Sequence, residues 1–423
     1  MSELHRSLGL GALTFYGIGV ILGAGIYSIL GEAAGIAGEA LWWSFLVASL
    51  AALLTGFSYA ELATMFPQAG AEYVYLREAW PAAAWLPGML GWALVATGIA
   101  TTATVALAFG GYAELFVPFP KWTIAAALVV AVATLNVIGV TEASWANIIF
   151  TLVESAGLIA LIVVGARDPD FGRTFTSAPH AGVLGGAALI FFAYLGFEEI
   201  ANLAEEARQP AQDLPRAILI AVAVSTTLYV LVAAASVTLL APAQLAASTS
   251  PLAEAMQEGA PRLAGALAGV ALFATANTAL IAMMAASRLL FAMARGGDAP
   301  FLLARILARR KTPAVAILLV AVGALLCLPL GGVGLVGSIA SLLALVTFAS
   351  VNAALVRLRF THPETKRPFR VPWPLRRVPL PTALGLVVVL VLLTRFAPLV
   401  YGIAGAALVF AYIVQAVPWN GKS

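Results

Sequence analysis

The sequence predicts an all-α polytopic membrane protein. Hydrophobic residues make up 62% of the 423 residues and charged residues only 10%, whereas soluble domains carry about 25% charged residues. The apolar residues form long runs, many of which reach the roughly 20 residues that a helix needs to cross a bilayer. Basic residues cluster between alternate runs, as is typical of the cytoplasmic loops of membrane proteins.

Twelve apolar runs, bounded by polar or Pro/Gly-rich stretches, are predicted to cross the membrane. They lie near residues 9–36, 40–66, 86–116, 122–140, 143–166, 182–203, 215–241, 261–294, 313–330, 333–357, 379–396 and 399–417. The stretch 71–80 is too short to cross and is predicted to be an interfacial helix. Residues 242–260 are predicted to form a short surface helix. We expect the whole chain, residues 1–423, to be a single transmembrane domain.

The distribution of Lys and Arg predicts the orientation of the chain. With the N-terminus inside, the cytoplasmic segments contain Arg6, Arg77, Arg208, Arg216, Arg295, Arg305, Arg309, Arg310, Lys311, Arg357, Arg359, Lys366, Arg367, Arg370, Arg376 and Arg377, and the outer segments contain Lys121, Arg167, Arg173, Arg262 and Arg395. This asymmetry predicts a multi-pass protein of the cell (plasma or inner) membrane with both termini cytoplasmic. Because the basic clusters flank spans instead of forming a domain, the predicted partner is the lipid bilayer and not a nucleic acid.

Motifs for catalysis and metal binding are missing from the sequence. Cys327 is the only cysteine, which excludes a disulfide framework and a thiolate metal cluster. The three histidines, His5, His180 and His362, lie away from the middle of the spans and form no zinc motif. A Walker A loop is also missing, which argues against an ATP-driven pump. The sequence therefore predicts no enzyme activity, no catalytic residue, no metal and no cofactor.

The first apolar run is predicted to be interrupted near its midpoint, at Gly23 and Gly25. Glycine costs about 1 kcal/mol in a helix relative to alanine, so two glycines weaken the helix there. Backbone groups freed inside a bilayer must be satisfied by the protein or by a ligand, so a broken helix at this depth favours a binding site for a small molecule or ion. The alternative is that the small residues let two helices pack closely.

The sixth run contains a second predicted interruption, at Gly196, which is followed by Glu198 and Glu199. A charged carboxylate at membrane depth costs roughly 2.5–3.5 kcal/mol, so the two acids need water, a partner or a proton. The first and sixth runs hold corresponding places if runs one to five and six to ten are two repeats. This is the arrangement of inverted-repeat transporters, whose binding site lies at the midplane.

Three motifs, in order along the chain, resemble those of the amino acid permeases of the amino acid–polyamine–organocation (APC) superfamily. They are Gly-Ile-Gly-Val-Ile-Leu-Gly-Ala-Gly-Ile-Tyr at residues 17–27, the second span and its loop at 58–80, and Glu-Glu-Ala-Arg-Gln-Pro-Ala-Gln-Asp-Leu-Pro-Arg at 205–216. The resemblance implies a LeuT-like fold with twelve transmembrane helices, of which the first and sixth are broken. Its two five-helix repeats would be residues 9–166 and 182–357, related by inversion, and residues 379–417 would form two appended helices.

The two interruptions suit the two charged groups of an amino acid. Helix N-termini attract anions and helix C-termini attract cations. The N–H groups after the first break can therefore hold a carboxylate, and the carbonyls of the second break can hold an ammonium group. The resemblance implies the same roles for Ile21, Gly23, Ala24 and Gly25 in the first span and for Phe191, Ala193 and Tyr194 in the sixth, with Gly196 in the break and Phe192 covering the substrate from outside. Packing or lipid contact is the alternative for the three aromatic residues.

Buried acids are the candidates for ion or proton coupling. Glu198 matches an acid that the family often keeps after the sixth-span break, and a pairing that fixes the half-helix is its alternative role. Glu154, in the middle of the fifth span, stands where some proton-coupled relatives have a lysine, so the lysine mechanism does not transfer directly. Glu154 either carries a proton, binds a cation together with Thr275 and Thr278, or forms an internal hydrogen bond in its neutral form.

These features together predict a secondary active transporter that moves amino acids by alternating access, with the proton favoured over sodium as the coupling ion. The alternatives are an exchanger of amino acids and amines or polyamines, a sodium-coupled symporter and, less in keeping with the motifs, a channel or a membrane-embedded enzyme. Broken helices with buried carboxylates suit alternating access better than an open pore. Because the predicted pocket has no charged group for a substrate side chain apart from Glu198, we expect small or apolar neutral amino acids.

Overall fold

Helices form nearly all of the regular structure in the computed structural model, which describes residues 8–67, 71–83, 85–139, 144–307 and 309–416. The α-helices are α1 (Leu10–Leu22), α2 (Ala24–Ala37), α3 (Leu41–Met65), α4 (Ala71–Ala79), α5 (Trp85–Ala113), α6 (Lys121–Ile138), α7 (Ser144–Gly165), α8 (Phe171–Thr174), α9 (Ala181–Ile190), α10 (Glu199–Asn202), α11 (Pro210–Leu239), α12 (Pro242–Ala247), α13 (Pro251–Gly259), α14 (Pro261–Gly296), α15 (Ala314–Cys327), α16 (Val333–Thr361), α17 (Leu380–Leu393) and α18 (Pro398–Ala416). Short 3₁₀ turns occupy Gly38–Ala40, Phe191–Tyr194, Phe301–Ala304 and Leu328–Leu330. The strands β1 (Pro374–Leu375) and β2 (Val378–Pro379) form a small antiparallel hairpin.

Nine helical runs in these ranges are long and apolar enough to cross a membrane. The first, Leu10–Met65, includes the first two predicted spans, and two shorter apolar helices, Ala314–Leu330 and Leu380–Leu393, lie at the ninth and eleventh. The prediction of an all-helical, multi-pass membrane protein is therefore confirmed. The count of twelve crossings, the inverted repeat and the orientation of the termini stay predictions.

The predicted interruption of the first span is present at Gly23. Helix α1 ends at Leu22, Gly23 adopts φ −42° and ψ −150°, and α2 begins at Ala24. Leu22 and Ala24 are fully buried, so the break lies inside the helix bundle. Because a helix start has no partners for its first N–H groups within the helix, the first turn of α2 must find them elsewhere.

The predicted interruption of the sixth span is also present, and it is longer. Helix α9 ends at Ile190, a 3₁₀ turn follows, and the four-residue α10 begins only at Glu199. Gly196 has φ +116°, a conformation that glycine adopts readily and that the Cβ of other residues disfavours. A Cβ on Gly196 would also overlap Val20 of α1, so the second break packs against the helix that leads into the first.

Buried hydroxyl and amide groups join α3, α16 and α17. Ser58 donates to Oδ1 of Asn352 at 2.6 Å, and Nδ2 of Asn352 donates to Thr55 at 3.0 Å. The hydroxyl groups of Ser58 and Thr382 lie 3.0 Å apart. All four side chains are fully buried, so these polar atoms satisfy one another where water is excluded.

The segment at 242–260 differs from its prediction as one surface helix. It forms two helices, α12 and α13, and a third helix, α14, starts immediately afterwards. Pro242, Pro251 and Pro261 each stand at the start of one of them, because proline fits the first helical position, where no N–H is needed, and cannot continue a preceding helix. The helix predicted at 71–80 is present as α4, and its position at the membrane interface stays a prediction. The predicted span ends at 140, 143 and 417, and Arg6, lie outside the described residues.

Candidate functional site

The two interruptions meet in the interior of the structure. A Cβ built on Gly25 would lie only 2.6 Å from the Cα of Ala193 and 3.0 Å from its Cβ. Non-bonded carbon atoms rest about 3.5–4.0 Å apart, so only glycine allows this approach. Ile21, Ala24 and Ala193 are at most 1% exposed. The structure thus brings together the predicted residues of the first and sixth spans.

Tyr229 of α11 links the two breaks through one hydroxyl group. This hydroxyl donates to the carbonyl oxygen of Ile21 and lies 3.1 Å from that of Ala193. Ile21 stands just before the first interruption and Ala193 lies within the second, where helix carbonyls lose their usual partners. The prediction from sequence did not include Tyr229. The signal that would have found it is that Tyr229 is the single tyrosine in the apolar run 215–241.

Thr278 of α14 binds the first residue of α2. The N–H of Ala24 donates to Oγ1 of Thr278 at 2.9 Å, so a side chain from another helix fills the role of an N-cap. Thr275 is fully buried and donates to the carbonyl of Ala271 in its own helix at 2.7 Å. Of the two predicted threonines, Thr278 therefore reaches the first break, whereas the Thr275 hydroxyl is engaged by α14.

The aromatic residues of the second break pack against neighbouring helices. Phe191 meets Phe348 of α16 edge to face, with ring centroids 5.6 Å apart. Tyr194 donates its hydroxyl hydrogen to the carbonyl of Phe45 in α3 at 3.1 Å. Phe192 is 4% exposed. Phe191 and Tyr194 thus make the packing contacts that the sequence left open as an alternative, and their contact with a substrate stays a prediction.

Glu198 turns back onto the second break. Its Oε2 accepts a hydrogen bond from the N–H of Gly196 at 2.8 Å. A hydrogen bond between a carboxylate and a backbone N–H is stronger than one between neutral groups, so it holds the loop between the 3₁₀ turn and α10. This contact corresponds to the pairing that fixes the half-helix, which was one of the two roles predicted for Glu198.

Glu154 of α7 is a buried acid beside the first broken span. The residue is 2% exposed, and its Oε1 has no hydrogen-bond partner among the described residues. Its backbone carbonyl accepts the hydroxyl of Tyr27 in α2 at 3.1 Å, and Tyr112 of α5 donates to the carbonyl of Tyr27 at 3.1 Å. A buried carboxylate oxygen without a donor is unfavourable when charged, so Glu154 suits a proton or a bound cation.

A second group of acids lies where α3, α4 and α10 meet. The hydroxyl of Tyr59 donates to Oε1 of Glu72 at 2.9 Å. Asn202 accepts the N–H of Ala71 at 3.1 Å and donates to Glu199 at 3.0 Å, which ties α10 to the start of α4. Burial raises the pKa of Glu72 to about 7, the charge of Glu199 adds to the rise, and the Tyr59 hydrogen bond opposes it. Glu72 therefore titrates near neutral pH.

The ends of α3 and α16, on the predicted cytoplasmic side, are joined by three charged side chains and one backbone N–H, which we call the inner ion-pair network (Glu61, Arg359, Arg367 and the N–H of Val371). Nε of Arg359 donates to Oε1 of Glu61 at 2.9 Å, and Nη2 of Arg359 donates to Oε2 of the same carboxylate. The N–H of Val371 also donates to Glu61, at 2.8 Å, and Nε of Arg367 lies 3.4 Å from Glu61 Oε1. The sequence did not predict this pairing, because 298 residues separate Glu61 from Arg359.

Comparisons with known proteins match nearly the whole chain. A family model described as amino acid permease matches residues 8–419, which include both helix breaks. An uncharacterised transporter of Mycobacterium tuberculosis is 34% identical over 375 residues, which are 86% of this chain and 83% of that protein. The branched-chain amino acid permease of Bacillus subtilis is 29% identical over 394 residues, 88% of this chain and 84% of the relative. The methylthioribose transporter of the same species is 31% identical over 398 residues, which are 88% of this chain and 85% of the relative.

Proposed function

We propose that this chain, which belongs to the amino acid permease family of the amino acid–polyamine–organocation superfamily, moves amino acids across a membrane by alternating access. Its family and relatives are transporters and not enzymes. The transport of amino acids agrees with the family and with the branched-chain amino acid permease among its relatives.

The observation that carries the proposal is the meeting of the two helix breaks at Gly25 and Ala193. Each break supplies backbone groups that a helix would otherwise use, and these groups can bind both ends of an amino acid without a charged side chain. The substrate carboxylate would bind N–H groups in the first turn of α2, where Thr278 now accepts one. The ammonium group would bind the carbonyls of Ile21 and Ala193, which now share Tyr229.

Binding between the breaks requires a movement of the second break. Gly25 lies against the backbone of Ala193, so a substrate enters only when the 3₁₀ turn withdraws from α2. The turn lies between Ile190 and Gly196, and the positive φ of Gly196 makes it a suitable hinge. A site that opens by separating two half-helices can face one side of the membrane at a time.

Glu154 is the carboxylate that we propose as the carrier of a coupled proton. Its buried Oε1 lacks a donor among the described residues, whereas Glu198 already accepts the N–H of Gly196. A proton removes the charge that makes Glu154 costly at this depth. One charge that crosses roughly 100 mV provides about 2.3 kcal/mol, which supports about a 50-fold gradient of a zwitterion.

Uptake by purified protein in sodium-free proteoliposomes, under an inward pH gradient, tests this proposal. We expect accumulation of a neutral amino acid by the wild type and loss of that accumulation in Glu154→Gln, while exchange of substrate without a gradient continues. Glu198→Gln is the matched control, and it should keep the response to the pH gradient. Uptake that needs sodium and ignores pH would instead favour a cation site at Glu154 and Thr278, and exchange that ignores both would indicate an obligate exchanger.

The substrate class needs its own test, because one relative is named for methylthioribose and the amine-exchanger alternative is open. A ligand that binds the folded state raises its stability, so thermal unfolding of the purified protein can rank ligands by affinity. The ligands to compare are neutral amino acids, their decarboxylated amines and methylthioribose. We expect a rise with small or apolar amino acids and a much smaller one with the matching amines. Equal rises from an amino acid and its amine would contradict a carboxylate site at α2. Saturable counterflow with the best ligand separates a carrier from a channel.

A further inference from the structure

A basic cavity of about 250 Å³ lies at the end of α16, beside the inner ion-pair network. Its lining consists of four arginines, a threonine and a proline: Arg359, Arg367, Arg370, Arg377, Thr365 and Pro363. None of these six residues is acidic. Glu61, outside the lining, is the carboxylate that pairs with two of the four arginines, Arg359 and Arg367. The cavity therefore carries an excess of positive charge.

Arg359, which lines this cavity, has an unused donor. Its side chain is 2% exposed, and Nε and Nη2 are bound to Glu61. Nη1 is buried and has no hydrogen-bond partner in the part of the chain that the structure describes. A buried charged donor without a partner is unfavourable, and an acceptor that reaches Nη1 removes that cost.

The positive groups around the cavity also act on one another. Burial lowers the pKa of Arg367, Glu61 opposes this change, and the charges of Arg359 and Arg370 lower the pKa further. Positive charges this close repel each other. An anion placed among them would convert this repulsion into attraction.

We propose that the cavity binds a phosphate group, as a monoester or diester. A phosphate offers several acceptor oxygens and negative charge, which match the planar donors of guanidinium groups. Nη1 of Arg359 would provide a donor at the buried end, and the exposed Arg370 and Arg377 would provide donors nearer the surface. Thr365 adds a hydroxyl group to the lining.

The surface beside the cavity favours a lipid headgroup as the source of the phosphate. The hairpin of β1 and β2, which carries Arg377, also presents Trp373 and Leu375, 69% and 72% exposed. Exposed tryptophan next to arginine is typical of the membrane–water interface, and basic pockets at helix ends bind anionic headgroups. A soluble phosphate would use the same arginines but would not need Trp373.

A bound phosphate would act on the inner ion-pair network. Arg359 would then hold Glu61 with Nε and Nη2 and the phosphate with Nη1, so one guanidinium group would join α3, α16 and the ligand. Arg370 lies one residue before Val371, whose N–H binds Glu61. The ligand would therefore stabilise the attachment of the 362–379 segment to α3.

Thermal unfolding of the purified full-length protein in phosphatidylcholine nanodiscs, with increasing phosphatidylglycerol, tests the proposal. We expect phosphatidylglycerol to raise the melting temperature of the wild type. The variant Arg370→Gln/Arg377→Gln should weaken this response about tenfold or more in apparent affinity, because each interfacial arginine contributes to the binding of anionic lipid. The matched control Arg309→Gln/Arg310→Gln removes the same charge from another predicted cytoplasmic loop and should keep the response.

Two further measurements identify the source of the phosphate group. One adds inorganic phosphate to the protein in nanodiscs of phosphatidylcholine alone, and the other measures the response of the variant Trp373→Ser to phosphatidylglycerol. A response to phosphatidylglycerol that Trp373→Ser reduces, without a response to inorganic phosphate, supports a lipid headgroup. A response to inorganic phosphate that only Arg370→Gln/Arg377→Gln loses supports the same site with a soluble ligand. Equal losses in the two double variants would mean general attraction between basic loops and an anionic membrane, and would overturn the proposal. An unchanged wild type with both ligands would overturn it as well.

Discussion

At the first helix break the freed backbone N–H is held by a neutral hydroxyl group, whereas at the second it is held by a carboxylate. Ala24 donates to Thr278, which belongs to a different helix, and Gly196 donates to Glu198, two residues further along the same segment. The two breaks share Tyr229, which reaches a carbonyl on each. The N–H of the first break is thus bound from outside its own span, and the N–H of the second from within it.

This difference indicates which break can accept a substrate anion. A hydroxyl group brings no charge, so it can leave the N–H of Ala24 to a carboxylate without stranding a charge inside the protein. At the second break an acidic side chain two residues away already accepts the N–H of Gly196, so a substrate carboxylate would have to displace it. The comparison therefore supports the proposal that the carboxylate of an amino acid binds at α2 and its ammonium group at the carbonyls.

The largest expected effect comes from Gly25→Val, which would separate the two breaks. A Cβ at this position would lie 2.6 Å from the Cα of Ala193, so the side chain must displace the 3₁₀ turn. We expect a loss of stability of about 3 kcal/mol and a loss of substrate affinity of about a hundredfold or more. Thermal unfolding and ligand-induced melting shifts measure the two effects. The control is Gly11→Val in α1, where a Cβ would have no atom within 4 Å. Wild-type affinity in Gly25→Val would remove the substrate site from this position.

Glu72→Gln tests the acids near the second break through pH. The pKa of Glu72 is about 7 in the folded protein against 4.5 ordinarily, so the folded state holds this proton more tightly. The stability that Glu72 contributes is therefore full below pH 4.5, falls as the pH rises from 4.5 to about 7, and is lost above it. We expect Glu72→Gln to flatten this fall, with a gain of at most about 3 kcal/mol at pH 8 relative to the wild type. Melting temperatures from pH 5 to pH 8 measure it, and an identical slope in both proteins would contradict a buried, protonated Glu72.

Tyr229→Phe would remove the group that the two breaks share. The ring remains to fill its place, but the carbonyls of Ile21 and Ala193 lose a buried donor, at a cost of about 2 kcal/mol. We expect lower thermal stability without substrate and a larger substrate-induced rise in melting temperature than in the wild type, because the ligand replaces the missing donor. Tyr194→Phe, which removes a nearby hydroxyl bound to Phe45, is the matched control and should not enlarge the rise. A smaller rise in Tyr229→Phe would mean that Tyr229 binds the substrate itself.

The smallest effect is expected from Thr278→Val, which keeps the shape of the side chain and removes the acceptor for Ala24. The loss of a capping hydrogen bond costs about 1 kcal/mol. Thr278→Ser keeps the hydroxyl and should restore the stability. If the cap stays in place during transport, Thr278→Val should weaken substrate binding and stability together. If the substrate carboxylate replaces the cap, stability should fall while affinity stays the same or rises.

The sequence predicts the positions of the helix breaks better than it predicts the side chains that bind the backbone groups freed there. Gly23, Gly25 and Gly196 carry the signal by themselves, because glycine in an apolar run weakens a helix wherever it packs. Tyr229 and Thr278 carry no such signal, since a tyrosine or threonine in a span usually packs or bonds to its own helix. Their roles depend on the approach of α11 and α14 to residues about 200 or more positions away.

The charged residues of the inner ion-pair network also form contacts that the sequence does not reveal. Glu61 and Arg359 are both visible in the sequence as charged residues near span ends, and the positive-inside pattern explains Arg359 without a partner. Only the packing of α3 against α16 makes them a buried pair. The division of 242–260 into two helices, by contrast, was available from Pro251, which stops one helix and starts the next.

The hydroxyl of Tyr229 carries a single hydrogen atom, yet it faces two carbonyl oxygens. Whichever way the O–H bond points, one of the two oxygens is left with a lone pair that this group cannot fill. For this pair of carbonyl oxygens, the hydroxyl of Tyr229 is one donor short by simple stoichiometry. An ammonium group, with three N–H bonds, makes up this shortage and frees the tyrosine at the same time. A substrate whose nitrogen is acylated has one N–H and could bind only one of the two carbonyl oxygens, so Tyr229 would have to stay bound to the other. The two breaks would thus distinguish a free amino group, which can bind both oxygens and release the tyrosine.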